Sequence, residues 1–433
     1  MNNKFKIIGE IKLRYRKIIG TLVLALSINV LSPNLVKKAH AEVKPPNIQG
    51  KFAITMDLKT GEIIYTKAPD SKAYPASTTK LLTALLLAEN KSKEDALKFT
   101  PDALKQPDYA IYRSFGPIPL GTTMSAEDAM KGLMLFSGND IAYVIADNVA
   151  GSNAKFSEMM NSKLKGWNLK DTHFVNPNGL PDANHYTTPY ELAIITKKAY
   201  ENPWVKEAMN TKNATIKTSN NLIINVENRN KNVGVDGCVA GKTGYTKDAG
   251  RCLATVYERD GRTLIGIVMN SVYDLNDTAV FEDMKKVIDY SYAAEKTSFM
   301  KADTTVGTYP IKYKLFKFFG PEKTIDVPFI LTEDVNIYDN EINKNETKGI
   351  VEIKETDGWN LAKNPKASIF KVSQRAASHE YAVKANITTQ DLLKQNMVIY
   401  GITLAAIIFI LVLIILIIRI FSKRSRRRGR RRY

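Results

Sequence analysis

Pro75-Ala76-Ser77-Thr78-Thr79-Lys80-Leu81-Leu82 is the stretch from which the rest of the chain can be read. A serine hydroxyl is a poor nucleophile at neutral pH and needs a neighbouring group to take its proton. On a helix, positions i and i+3 share a face with roughly 5–6 Å between Cβ atoms, so Ser77 and Lys80 meet without long-range construction. Pro75 presets a first helical φ, and the apolar residues Leu81, Leu82, Ala84, Leu85, Leu86, Leu87 and Ala88 cover nearly every face. The helix is therefore expected to be central and buried, with Ser77 in its first turn. There, unpaired N–H groups and the positive dipole end favour a developing oxyanion. Burial of Lys80 would lower its amine pKa, and a second lysine nearby would push the same way.

Two tripeptides supply the rest of such a site. Ser137-Gly138-Asn139 follows Ser77 by 60 residues, and Lys242-Thr243-Gly244 follows Ser137 by another 105. Singly, each has a plain reading: a helix start with a solvated lysine, a turn, a hairpin. In this order and spacing they form the Ser-x-x-Lys, Ser-x-Asn and Lys-Thr-Gly set of serine acyl-transfer sites, which occurs in β-lactamases and penicillin-binding proteins.

The flanking segments narrow the family. Asp57-Leu58-Lys59-Thr60-Gly61-Glu62, Tyr74 to Lys80, Ser137-Gly138-Asn139-Asp140, His173-Phe174-Val175-Asn176-Pro177-Asn178-Gly179-Leu180-Pro181, His185-Tyr186-Thr187-Thr188 and Gly241-Lys242-Thr243-Gly244-Tyr245-Thr246 span the catalytic region. Together they resemble the serine D-alanyl-D-alanine carboxypeptidases, low-molecular-weight penicillin-binding proteins that trim peptidoglycan stem peptides. The resemblance implies an α/β fold, a β-lactamase/transpeptidase-like sandwich of antiparallel sheet and helices. It implies Ser77 as the nucleophile, Lys80 as its base, Ser137 as a proton relay, and Asn139 as a holder of Lys80 and the substrate amide. Substrate binding falls to Lys242, Thr243, Gly244 and Tyr245, with the backbone N–H groups of Ser77 and Tyr245 as oxyanion hole. The implied partners are a stem peptide ending in D-Ala-D-Ala and β-lactams as covalent inhibitors, with no cofactor and no metal. One departure stands out. Family members often carry an arginine after the strand following Lys-Thr-Gly, whereas no arginine lies between Arg262 and Arg375. Carboxylate binding is then expected to lean on Thr243, Thr246 and Lys242.

Other chemistries fit the residue inventory less well. A Ser-His-Asp triad needs an imidazole, and beyond His40 only His173, His185 and His379 are available, the first two in Pro/Asn/Gly-rich loops that suggest structural roles. Zinc lacks a ligand pattern, since no His-x-x-x-His pair accompanies Cys238 and Cys252. A β-lactamase with a dedicated deacylating glutamate is the nearer rival. Its carboxylate would have to be Asp182 or Glu191, and Glu191 reads as a helix residue after Thr188 and Pro189. A non-hydrolytic penicillin-binding scaffold is the alternative from outside enzymology.

The chain ends speak to location. Six Lys/Arg precede the apolar residues 18–31, and Ala39-His40-Ala41 offers small residues at a cleavage site, so 1–41 reads as a secretory leader, with an uncleaved anchor as the alternative. Residues 397–418 carry no charge, enough for a helix of ~33 Å across a ~30 Å hydrocarbon core. Nine Lys/Arg follow in 419–433. Positive-inside logic keeps that tail cytoplasmic and the catalytic region outside. The net charge of +18 is mostly +9 in this tail and +7 in the leader, leaving +2 between them. The basic balance thus points to anionic membrane lipid and not to nucleic acid.

Between the ends, a catalytic domain is expected over 48–295 and a small β-rich domain over 306–387, with short β-type runs such as 327–331, 335–338, 350–353 and 369–372. Strands are expected at 241–244, 253–257 and 264–268, and helices at 130–150, 190–200 and 282–294. Cys238 and Cys252 fall on neighbouring strands. A disulfide between them would need one particular register, and small buried thiols are the other reading.

Overall fold

The computed structural model describes residues 44–107 and 109–429. The leader expected over 1–41 lies outside the described residues, as does the end of the arginine tail.

Strands β1 (Phe52–Asp57), β2 (Ile63–Lys67), β3 (Cys238–Thr246), β4 (Gly250–Arg259) and β5 (Arg262–Ser271) form one sheet in the order β2-β1-β5-β4-β3, antiparallel throughout. Successive strand residues point to opposite faces, and both faces are apolar here. Ala53, Leu253, Leu264 and Val268 pack on one side with Val280, Met284, Val287 and Ile288 of helix α4 (Ala279–Ala293). Ile54, Ala254, Ile265 and Ile267 pack on the other with helices α1 (Lys80–Asn90), α2 (Asn139–Ala150) and α3 (Pro189–Glu201). An antiparallel sheet commonly leaves one face wet; covering both makes the expected sandwich.

The structure departs from the sequence expectations in two local ways. Ser77 is not in the first turn of an α-helix: Ala76–Thr79 is a 3-10 turn, and α1 begins at Lys80. Ala76 has φ +48°, a left-handed conformation that a right-handed helix cannot contain. The i, i+3 relationship survives, because a 3-10 turn brings those positions into line. The 130–150 run is not one helix. It breaks into Ala126–Lys131, a π-turn Gly132–Phe136, and α2, with Ser137 between them at φ +73°. The two cysteines follow the buried-thiol reading: Cys238 pairs across the ladder with Tyr257, whereas Cys252 pairs with Gly244. The thiols are free and buried, since no shared register brings them opposite one another.

A second sheet follows: β6 (Thr305–Lys314), β7 (Glu322–Leu331), β8 (Lys348–Glu352), β9 (Ile369–Gln374) and β10 (Ala377–Ala385), in the order β6-β7-β10-β9-β8. Its own core contains Ile311, Tyr313, Phe329, Val351, Phe370 and Val383. Two short helices, Glu341–Glu346 and Gly358–Lys363, interrupt a region expected as β alone. The first of them docks on β2: Asn343 Nδ2 donates to the Ile63 carbonyl at 2.8 Å. Arg375 makes two parallel bonds to Asp70, at 2.6 and 2.7 Å, and lies over the Tyr190 ring. The junction therefore uses the β2 edge, leaving the β3 edge clear. Helix α5 (Thr389–Gln395), closed by a Thr388–Asp391 capping box, leads into α6 (Met397–Gly429). Its first 27 residues, Met397–Lys423, contain an 18-residue stretch with a mean hydropathy of 3.4, none of it buried within the protein, and are long and apolar enough to cross a membrane.

Candidate active site

Ser77, Lys80, Ser137, Asn139, Lys242 and Thr243 converge where the 3-10 turn, α1, the Ser137 turn and β3 meet. Lys80 Nζ lies 2.9 Å from Ser77 Oγ, 2.9 Å from Asn139 Oδ1 and 2.8 Å from the Asn178 carbonyl oxygen. An ammonium would donate to all three. A neutral amine has two N–H bonds and one lone pair, so donation to the two carbonyl oxygens directs the lone pair at the Ser77 hydroxyl. The site favours that neutral form. Lys80 is fully buried, and burial, with Lys242 and Arg229 adding to it, holds its pKa well below the ordinary lysine value.

Lys242 Nζ donates to Ser137 Oγ at 2.9 Å and to the Thr243 carbonyl at 3.2 Å. Burial first, then Arg229 and Arg251, lower its pKa to about 7. Ser137 owes its position to the left-handed backbone at the break between the π-turn and α2, a conformation that costs on the order of 1 kcal/mol for a non-glycine residue and is typical of functional sites. Asn139 starts α2, so its side chain faces back across the break to Lys80. Asp140, next along, is buried and accepts N–H bonds from Tyr112 and Ile141; desolvation raises its pKa to about 6.

Two glycines let backbone approach backbone. A Cβ on Gly244 would stand 3.0 Å from both Ser77 N and the Pro75 carbonyl, so β3 runs directly against the Ser77 turn. A Cβ on Gly179, at φ +82°, would overlap the Ala76 carbonyl at 1.8 Å. Gly179 thus lets the Asn176–Pro181 loop press its Asn178 carbonyl onto Lys80. His185 braces the same region from behind. Its Nδ1 accepts from Val175 N–H at 3.1 Å, which leaves the Nε2 proton to donate to Thr79 Oγ1 at 2.8 Å. The ring stacks on Phe174, and burial drives its pKa to about 3. His185 is therefore a neutral strut of the Ser77 turn.

Neither carboxylate weighed for a deacylating role reaches the lysine. Glu191 sits in the first turn of α3, accepting from Asp171 N–H and Thr172 Oγ1. Asp182 accepts from Asn184 N–H in an exposed part of its loop.

Ser77, Ser137, Thr243, Gly244 and Tyr245 open on a cavity of about 460 Å³. Its walls also carry residues that reading the sequence missed. Arg229 lies over the rings of Tyr109 and Phe136, with its guanidinium carbon 4.5 and 5.1 Å from their centroids. Arg251 lies beside Tyr245 and Tyr273, whose rings meet at a tilt with centroids 4.7 Å apart, and ion-pairs with Asp277. The sequence did contain a signal for Arg251: on an antiparallel ladder it sits directly opposite Tyr245. So the cavity holds arginines although none follows β5 before Arg375.

A family model described as "D-alanyl-D-alanine carboxypeptidase" matches residues 39–272, more than half the chain. The chain belongs to that family, peptidase S11. The carboxypeptidase is 27% identical over 375 residues to D-alanyl-D-alanine carboxypeptidase DacF of Bacillus subtilis, covering 82% of this chain and 94% of that one. It is 31% identical over 239 residues to DacA of Haemophilus influenzae, 52% of this chain and 58% of that one. Among solved structures it is similar to the Streptomyces K15 DD-transpeptidase, with 28% identity and a TM-score of 0.52 over 58% of this chain and all of that one. The enzyme is thus a serine-type carboxypeptidase on a penicillin-binding fold.

Proposed function

We propose that the enzyme removes the terminal D-alanine from peptidoglycan stem peptides by an acyl-enzyme on Ser77. Ser77 Oγ attacks the penultimate D-alanine carbonyl and its proton passes to Lys80 Nζ. The C–N bond to the terminal D-alanine then breaks as the proton on Lys80 passes by way of Ser137 Oγ, which Lys242 holds, to the leaving amine, and Lys80 is neutral again. Water attacks the Ser77 ester, with Lys80 as the base again, and regenerates the hydroxyl. The backbone N–H groups of Ser77 and Tyr245 receive the oxyanion. The single observation carrying this reading is the neutral-favouring Lys80, whose two carbonyl acceptors leave its lone pair for Ser77.

The substrate's free carboxylate needs positive charge in the cavity. We assign it to Arg251, supported by Thr243 and Lys242; this shifts the main charge from the expectation that binding leans on Thr243, Thr246 and Lys242. A β-lactam presents a strained acyl centre and a carboxylate to the same groups and acylates Ser77. Mapping the serine modified by a fluorescent penicillin tests the assignment: label on Ser77 supports it, and label retained by Ser77→Ala opposes it. The apolar part of α6 and the arginines that follow that part support a membrane-held enzyme whose catalytic region faces outside and whose tail is cytoplasmic.

A further inference from the structure

The hairpin joining β6 to β7 ends in Leu315-Phe316-Lys317-Phe318-Phe319-Gly320-Pro321, and its rings face outward. Phe318 is 76% exposed and Phe319 67%. This is not a loose tip. Lys317 and Gly320 take left-handed φ values, Leu315 N–H bonds to the Pro321 carbonyl, and Phe316 stacks on Phe319 with centroids 5.1 Å apart. The fold holds two large apolar rings in water where nothing in the catalytic or β core uses them.

Their neighbour explains the placement. The hairpin is fastened to the base of α6: Tyr400 OH donates to the Leu315 carbonyl at 2.5 Å, and Phe316 packs on the Tyr400 ring at 5.5 Å. One turn earlier, Asn396 Nδ2 donates to Tyr313 OH at 2.8 Å while its Oδ1 accepts from Lys323 at 2.9 Å. The exposed rings therefore stand at the level where the apolar helix begins. Lys317 lies over the Phe318 ring at 4.8 Å, and Lys363 approaches closely enough to hold the Lys317 pKa below its usual range. Aromatic rings with adjacent lysines are the composition of a membrane–water boundary, where rings sit among headgroups and ammonium groups reach phosphate.

We propose that the Phe318–Phe319 hairpin inserts into the headgroup region of the bilayer that α6 crosses, forming a second membrane contact for the β-rich unit. This rests on reading α6 as a membrane span. With the hairpin, α5 and α6 bonded together, the unit becomes a fixed stand, and the catalytic cavity is held at a set height and orientation.

The test uses the full chain in phosphatidylcholine–phosphatidylglycerol vesicles, with lipid brominated either high on the acyl chain or near its end. Tryptophan is introduced by Phe318→Trp or, separately, by Phe409→Trp within α6. The signal from the native tryptophans is taken from the parent protein. The proposal expects Phe318→Trp to lose at least about twice the parent's fraction of emission to the upper-chain bromines, and Phe409→Trp to be quenched by the deeper ones. Quenching at 409 without quenching at 318 overturns the hairpin contact while leaving the span, and means that the rings serve another partner. Quenching at neither position overturns the span, and the hairpin contact with it.

Discussion

The guanidinium of Arg251 ion-pairs with the Asp277 carboxylate in the cavity that Ser77 lines. A substrate carboxylate arriving there must share or replace that counter-ion. Arg251 is mostly buried, so exchanging one carboxylate for another preserves its charge balance, whereas removing both would strand a buried cation.

Arg251→Ala is expected to raise KM for a peptide ending in D-Ala-D-Ala about tenfold to a hundredfold, the worth of a charge-assisted hydrogen bond of roughly 1.5–3 kcal/mol. The same variant should treat a C-terminally amidated peptide like the parent does. Asp277→Asn should lower KM for the acid by removing the competitor. Steady-state kinetics on the acid and amide decide it, and an equal loss on both would show Arg251 to be only structural.

Lys80→Arg keeps positive charge but cannot deprotonate in a protein. Acylation by benzylpenicillin, followed by stopped-flow fluorescence, should fall by about 10²–10⁴-fold, the usual share of a general base. Near-normal acylation would assign the proton to another group.

The pH profile follows from the two lysines. Acylation needs Lys80 neutral, so kcat/KM climbs as pH rises through its depressed pKa. Lys242 must stay protonated to hold Ser137 and add positive charge, and it titrates at about 7, so kcat/KM declines above that value. The resulting bell should lose its alkaline limb in Lys242→Arg, whose side chain stays charged. An unchanged limb in that variant would detach it from Lys242.

Acid should loosen the Ser77 turn through His185. Its folded pKa is about 3, against about 6.5 when unfolded, so the unfolded state binds more protons between those values. The associated stability is complete above pH 6.5 and is lost as pH falls towards 3, by on the order of 5 kcal/mol. Urea unfolding of His185→Gln should show a shallower loss over that window than the parent; parallel profiles would contradict the account.

Much of this was legible in sequence because the chemistry sits in short segments that carry their own local structure. Ser77 and Lys80 share a turn, and the Leu81–Leu87 run announces a buried helix. Strand alternation at Ala53/Ile54 and Leu253/Ala254 gives the two-faced sheet. What escaped was tertiary. Asn178 contributes a backbone carbonyl, which no side-chain pattern marks, and it arrives only because Gly179 has no Cβ. Arg251 reaches the cavity by ladder register, and the same register separates Cys238 from Cys252. The break at Ser137 lies inside a run apolar enough to read as continuous helix, yet Ser137-Gly138 is what turns the hydroxyl towards Lys242.

The most direct measurement is D-alanine release by the purified full-length enzyme from a peptide ending in D-Ala-D-Ala, run beside its Ser77→Ala variant. The account predicts release well beyond one equivalent per enzyme, with none above background from Ser77→Ala. Release that persists without the Ser77 hydroxyl, or a single equivalent released with no turnover, would contradict it.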